Sequence, residues 1–193
     1  MEQRKRVLNE RIDKVMHRYH FAQDDYEVKY LEGLLIPPSI EKCGKKIVIR
    51  IPVSFLIKTA DVYSVEGFSC LKSLFCRIKE SNVAISVFLD FLQDPIQSEH
   101  AKTFLLAHEF AHFINGDLLS PSKSIVESYE REKRADLTAA KISGLETGGI
   151  YLFNFLARYR HYCSTTHPSD LERVKYLEKH YRMARQIVIP NVI

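Results

Sequence analysis

The sequence predicts an α+β fold in one domain, a small, mostly antiparallel sheet set against a helical core. Three observations predict it. Segments with clear strand character are few and short and lie in the first half of the chain, at Lys46–Pro52 and Val83–Phe88. Long segments with apolar residues at helical spacing fill the second half. The chain has 193 residues, 46% of them apolar, enough to bury one core and too many for a disordered chain.

From the N-terminus, Arg4–His20 puts Leu8, Ile12, Val15 and Met16 on one helical face. Tyr26–Ile36 is apolar without a decided period and stops at Pro37-Pro38. Lys46–Pro52 alternates Ile47, Ile49 and Ile51 with Val48 and Arg50, a strand pattern. Ser64–Glu80 spaces Phe68, Leu71, Leu74, Phe75 and Ile78 as a helix does. Val83–Phe88 is rich in β-branched residues and reads as a second strand. Ser98–Asn115 reads as a helix with Gly116 as its C-cap, and Ile125–Ile142 as another that ends before Gly144. Ile150–Cys163 and Pro168–Arg185 follow, the latter with proline in its first turn, where a missing N–H costs nothing. No repeat or low-complexity segment occurs. Residues 1–80 carry no motif with evident chemistry, and the candidate catalytic core spans 83–185.

The net charge is +4, with both signs interspersed. Arg4, Lys5 and Arg6 form the densest basic patch and read as a solvated helix start. No aromatic–basic platform or helix-turn-helix signature is present, so nucleic acid is not an expected partner. No stretch approaches the roughly 18 apolar residues of a membrane span. The charged segment Met1–Lys14 does not resemble a signal peptide, and Cys43, Cys70, Cys76 and Cys163 form no CxxC pair. Reduced thiols and a cytoplasmic protein are expected.

Residues 108–112 read His-Glu-Phe-Ala-His within a segment that has no helix breaker. Histidines four apart lie on one helical face, so His108 and His112 can reach one metal ion. Glu109 follows the first ligand directly. Its carboxylate can reach a water that zinc acidifies towards a pKa of about 7, and can act as general base in peptide hydrolysis. By chance the pattern arises in roughly one chain in fifty, so the third ligand decides its meaning.

A catalytic zinc needs three protein ligands and one open position. Residues 130–136 read Glu-Arg-Glu-Lys-Arg-Ala-Asp in the next helical segment. Glu132 and Asp136 share a face there. Glu132 is the candidate third ligand, and Asp136 the carboxylate that orients a histidine ligand, with His108 as its expected partner. Glu127 and Glu130 are rivals to Glu132; the first sits nearer the loop and the second lies off the face of Asp136.

The motifs together resemble the gluzincin zinc metallopeptidases of the HtpX and CaaX-prenyl-protease type, in which HExxH is followed by ExxAD on the next helix. A third block, Ser164-Thr165-Thr166-His167-Pro168 followed by Leu171, Glu172 and Arg173, is similar to that family's Ser-Thr-His-Pro segment. The likeness covers about residues 98–180. It implies a zincin-type helical core and a proteolytic Zn²⁺ site with ligands His108, His112 and Glu132 and base Glu109. It also implies a catalytic place for His167 at the cleft, stabilising the oxyanion or occupying the zinc's open position at rest. This chain lacks the membrane helices common in that family. Ile85–Leu92 also looks similar to the phage-exclusion Lit peptidases, which are cytoplasmic.

The expected function is a zinc endopeptidase acting on protein or peptide substrates. A narrow-specificity regulatory or phage-defence protease, or an inactive scaffold that retains zinc, are the alternatives. Peptidases of this kind bind substrate as an added strand, and Ala84, Ile85 and Ser86 are the candidate edge. Tyr151, Tyr159 and Tyr162 read as packing residues, and Cys163 as a buried thiol near His167.

Overall fold

The computed structural model describes residues 1–34, 36–58, 60–61, 81–159 and 166–187, with side chains through Tyr181. The chain divides into two compact units, Met1–Pro95 and Ile96–Ile193. The helix expected over Ser64–Glu80 lies outside the described residues.

In the first unit, helix α1 (Glu2–Arg18) buries Ile12 and Met16, while Leu8 and Val15 are half-buried beside them. It is tied to strand β1 (Tyr26–Leu31) by two phenols: Tyr26 donates to the Asp13 carboxylate, and Tyr30 to Asn9 Oδ1 at 2.8 Å. Burial, together with Asp13, pushes the Tyr26 phenol up to about 12, so it remains a donor across the physiological range. Arg4 closes the unit's other side, donating to the Leu56 carbonyl at 2.7 Å and to the Asp61 carboxylate at 2.8 Å.

The sheet contains β1, β2 (Ser39–Cys43) and β3 (Lys46–Pro52) in the order β1-β3-β2. β3 pairs parallel with β1, from Tyr26↔Ile47 to Leu31↔Pro52, and antiparallel with β2, from Ser39↔Arg50 to Cys43↔Lys46. The sheet is therefore mixed rather than mostly antiparallel. As the central strand, β3 buries Ile47, Val48, Ile49 and Ile51, which requires cover on both faces.

Helix α2 (Asn82–Phe91) corrects the strand expected at Val83–Phe88. Ser81 accepts from the Ala84 N–H at 3.1 Å and caps the first turn. Phe88, Phe91 and Leu92 are buried at spacings of three and four, while Val83 is 73% exposed. Burial at helical period, started by a good cap, outweighs the β-preference of Val83, Ile85 and Val87. Ala84, Ile85 and Ser86 consequently offer no strand edge: the Ile85 N–H is spent on the Ser81 carbonyl at 3.0 Å.

The second unit is helical: α3 (Pro95–Ile114), α4 (Ile125–Ser143), α5 (Glu146–Tyr159) and α6 (Asp170–Ile187). α3 buries Ala101, Phe104, Ala107, His108, Phe110 and Ala111, and α4 buries Glu132, Ala135, Asp136, Ala139 and Ala140. Alanines on both buried faces leave room for the functional side chains between them. α3 ends at Gly116, whose φ of 76° is open to glycine and strained for other residues. Pro168 stands just ahead of α6 rather than in its first turn. Ser169 and Glu172 form the cap, with the Glu172 N–H donating to Ser169 Oγ at 3.3 Å and the Ser169 N–H to the Glu172 carboxylate at 3.0 Å. Among the described residues no helix is long and apolar enough to cross a membrane.

α5 begins against the backbone of α3. A Cβ on Gly148 would lie 2.5 Å from the His100 carbonyl oxygen, and one on Gly149 would lie 2.6 Å from Phe104. Phe104 in turn meets Phe153 edge-on, with ring centroids 6.0 Å apart. Alanine in a helix interior normally gains up to about 1 kcal/mol over glycine. Gly148→Ala is expected to do the opposite, lowering stability by about 1–3 kcal/mol through overpacking, as read by chemical denaturation.

Candidate metal centre

His108 and His112 leave the same side of α3, one turn apart, with their Nε2 atoms separated by 3.1 Å. α4 brings Glu132 against both. Its Oε2 lies 3.3 Å from His108 Nε2, and its Oε1 lies 3.2 Å from His112 Nε2. Among the described residues, these three form a buried to half-buried group able to hold a metal ion.

The other ring nitrogens set the orientation of the histidines. His108 Nδ1 is 2.9 Å from Asp136 Oδ1, and His112 Nδ1 is 3.0 Å from Asp117 Oδ2. A carboxylate only accepts, so each Nδ1 donates, and in a neutral imidazole that leaves the Nε2 lone pair facing Glu132. Two lone pairs and two carboxylate oxygens then meet at 3.1–3.3 Å. Glu132 is 7% exposed, and its Oε2 faces His108 Nε2 at 3.3 Å and Arg173 Nη2 at 3.5 Å without a well-formed hydrogen bond among the described residues. A poorly satisfied buried acceptor costs up to about 1–3 kcal/mol, and the lone pairs repel one another; Arg173, on one side of the group, offsets only part of this. A single positive charge between them relieves both.

In the metal-free protein that charge is a proton. Burial alone would push the His108 imidazole down, but the carboxylates of Asp136 and Glu132 overcome it and raise the group to about 9. Burial likewise opposes ionisation of Glu132, yet His108 and His112 hold its carboxyl well below the usual range. A divalent ion can replace the proton. Ligands at about 2.0–2.1 Å in a tetrahedron are about 3.3–3.4 Å apart. In an octahedron they are about 3 Å apart. The separations here lie between those values, and two imidazoles with one carboxylate suit a borderline-soft divalent ion.

Around this centre lies a shell of charge. Arg173 Nε and Nη2 donate to the two oxygens of Asp136 at 2.9 and 2.6 Å. The guanidinium packs on the Phe153 ring, 3.9 Å from its centroid. Burial opposes the charge on Asp136, but Arg173 and His108 keep it ionised. Glu109 is half-buried and makes no hydrogen bond or ion pair with any described residue. Burial raises its carboxyl above the ordinary value. His167 is half-exposed, with Nε2 3.5 Å from Glu132 Oε1 and Nδ1 2.7 Å from Thr166 Oγ1. Burial lowers its imidazole. The rival carboxylates turn elsewhere. Glu127 accepts from the Lys123 N–H at 2.7 Å and from Arg131 at 2.6 Å, and Glu130 pairs with Lys133 at 3.0 Å.

Comparison of the chain with family models, with curated proteins and with solved structures finds no match.

Two residues acquire roles that the sequence does not announce. Arg173 lies 37 positions from Asp136, and only the third motif block hints at it. Asp117 lies just past the α3 cap, outside any periodic segment, and no pattern marks it. Tyr159 is partly exposed and packs its ring on Phe155, with centroids 5.1 Å apart, and Tyr162 and Cys163 lie outside the described residues.

Binding of Zn²⁺ near neutral pH should release about one proton from His108. An imidazole raised to about 9 is protonated there, whereas a ligand nitrogen is not. The released count should decline as pH rises through 9, which calorimetry in buffers of differing ionisation enthalpy reads directly. Replacement Arg173→Met should cost about 3–5 kcal/mol in denaturation midpoint analysis, because Asp136 would stay buried without its cation.

Proposed function

We propose that the chain is a zinc-dependent peptidase of the gluzincin type that hydrolyses peptide bonds in protein or peptide substrates. The observation that carries this reading is the meeting of His108, His112 and Glu132 at 3.1–3.3 Å, with Glu109, which pairs with no described residue, one residue along the same helix. Two histidines and a carboxylate also suit non-haem iron. Glu109 favours zinc, because hydrolysis needs a general base beside the ligands and oxygen chemistry does not. A bound zinc ion would supply Lewis-acid polarisation of a carbonyl and acidification of water.

The chain's own residues do the rest. Glu109 takes a proton from the attacking water and returns it to the leaving nitrogen. Its raised affinity for protons suits both halves of that task. His167, half-exposed at the edge of Glu132, donates to the oxygen on which negative charge builds. Asp136 and Arg173 keep His108 in one tautomer and one orientation.

The Glu109→Gln variant is expected to keep zinc and to lose cleavage by at least about a hundredfold. Mapping new protein termini in cells expressing each form reads this: termini should appear with the wild type and vanish with the variant. Identical profiles would overturn the peptidase reading. Cleavage should also fall with acid as Glu109 becomes protonated. Because burial raises that group, the fall should come at higher pH than for a solvated glutamate.

A further inference from the structure

The charge shell has a second arm that mirrors the first. His108 donates to Asp136, which is gripped by Arg173. His112 donates to Asp117, whose Oδ1 accepts from Arg134 Nη2. The Asp117 side chain is 7% exposed, although it sits on the turn that follows α3. That turn is held in place from α4. Arg131 Nη1 donates to the Asp117 carbonyl at 3.2 Å and to the Ser120 carbonyl at 2.7 Å, and Thr138 Oγ1 to Asn115 Oδ1 at 3.3 Å. The left-handed Gly116 reverses the chain so that Asp117 returns to the imidazole five residues before it.

We propose that Asp117 is the positioning residue of His112, locking its Nδ1–H tautomer so that Nε2 faces the ion, as Asp136 does for His108. This rests on the metal-binding reading above. The two arms differ in exposure. Arg173 is buried, whereas the Arg134 side chain is 53% exposed. The first arm is therefore a fixed part of the core. In the second, the Asp117–His112 bond carries the function, and the Arg134 contact is a solvent-screened addition.

An alternative role for Asp117 is simply to fasten the turn to α4 through its arginines. Three measurements separate the two. Zinc affinity is measured by competition with a chromogenic chelator for wild type, Asp117→Asn and Arg134→Gln. The thermal midpoint of each metal-free protein is recorded. The ring nitrogens of His112 in the zinc-loaded wild type are assigned by long-range ¹H–¹⁵N correlation.

The proposal expects Asp117→Asn to weaken zinc binding about 10–100-fold. It expects Arg134→Gln to change binding by less than about fivefold. The His112 spectrum should show a protonated Nδ1 and a metal-bound Nε2. That last readout needs no variant, so it holds even where Asp117→Asn fails to fold. Equal zinc affinity for Asp117→Asn and wild type, or coordination of His112 through Nδ1, overturns the proposal and leaves the metal site standing. An equal loss in Arg134→Gln and Asp117→Asn assigns Asp117 to fastening the turn and also overturns it. Failure of the wild type to bind zinc removes the metal site and the proposal together.

Discussion

Four electron-rich atoms that face one another in a nearly dry space govern this structure. Two imidazole nitrogens and two oxygens of Glu132 meet at 3.1–3.3 Å, with the Arg173 guanidinium 3.5 Å from Glu132 Oε2 at one side. Such an arrangement is unstable without a cation between the atoms. Its surroundings make it harder to relax. Asp136 and Asp117 accept hydrogen bonds from the two Nδ1–H groups and so direct the Nε2 atoms inward. The other buried residues of α4, Ala135, Ala139 and Ala140, are small and leave room for Glu132 and Asp136 between the helices.

Charge balance explains why so many ionisable groups tolerate burial here. Each histidine has a carboxylate and each carboxylate an arginine, in two chains that start at one centre and run outward. Arg173 does this within the core, stacked on Phe153, and Phe153 packs edge-on against Phe104 of the histidine helix. A change in the aromatic packing would thus reach the site through Arg173. Glu109 feels the charges of His108, His112 and Arg173 but makes no hydrogen bond or ion pair with any described residue. A carboxylate left out of the hydrogen-bonded chains suits a group that must gain and lose a proton.

The helices of the second unit were legible in the sequence because period 3.6 and the glycine stops are local properties. The spacing of His108, His112, Glu132 and Asp136 could be converted into shared faces for the same reason. Asp117 could not, since it lies beyond Gly116, where no period applies and only the turn's conformation says what it meets. Arg173 could be associated with the site by resemblance alone, its partner being 37 residues away. The misreading at Val83–Phe88 has a different origin. β-branched residues argued for a strand, and the Ser81 cap with burial of Phe88, Phe91 and Leu92 decided for a helix. The parallel pairing of β1 with β3 was also out of reach, because strand direction depends on connections that hydrophobic pattern does not encode.

The most direct measurement is X-ray absorption at the zinc edge on the purified, zinc-loaded protein. One ion per chain is expected, with two nitrogen neighbours and two oxygen neighbours, from the Glu132 carboxylate and solvent, at about 2.0–2.2 Å, and no sulfur. A sulfur-rich shell, or a shell unchanged when His108 and Glu132 are replaced together, would contradict it.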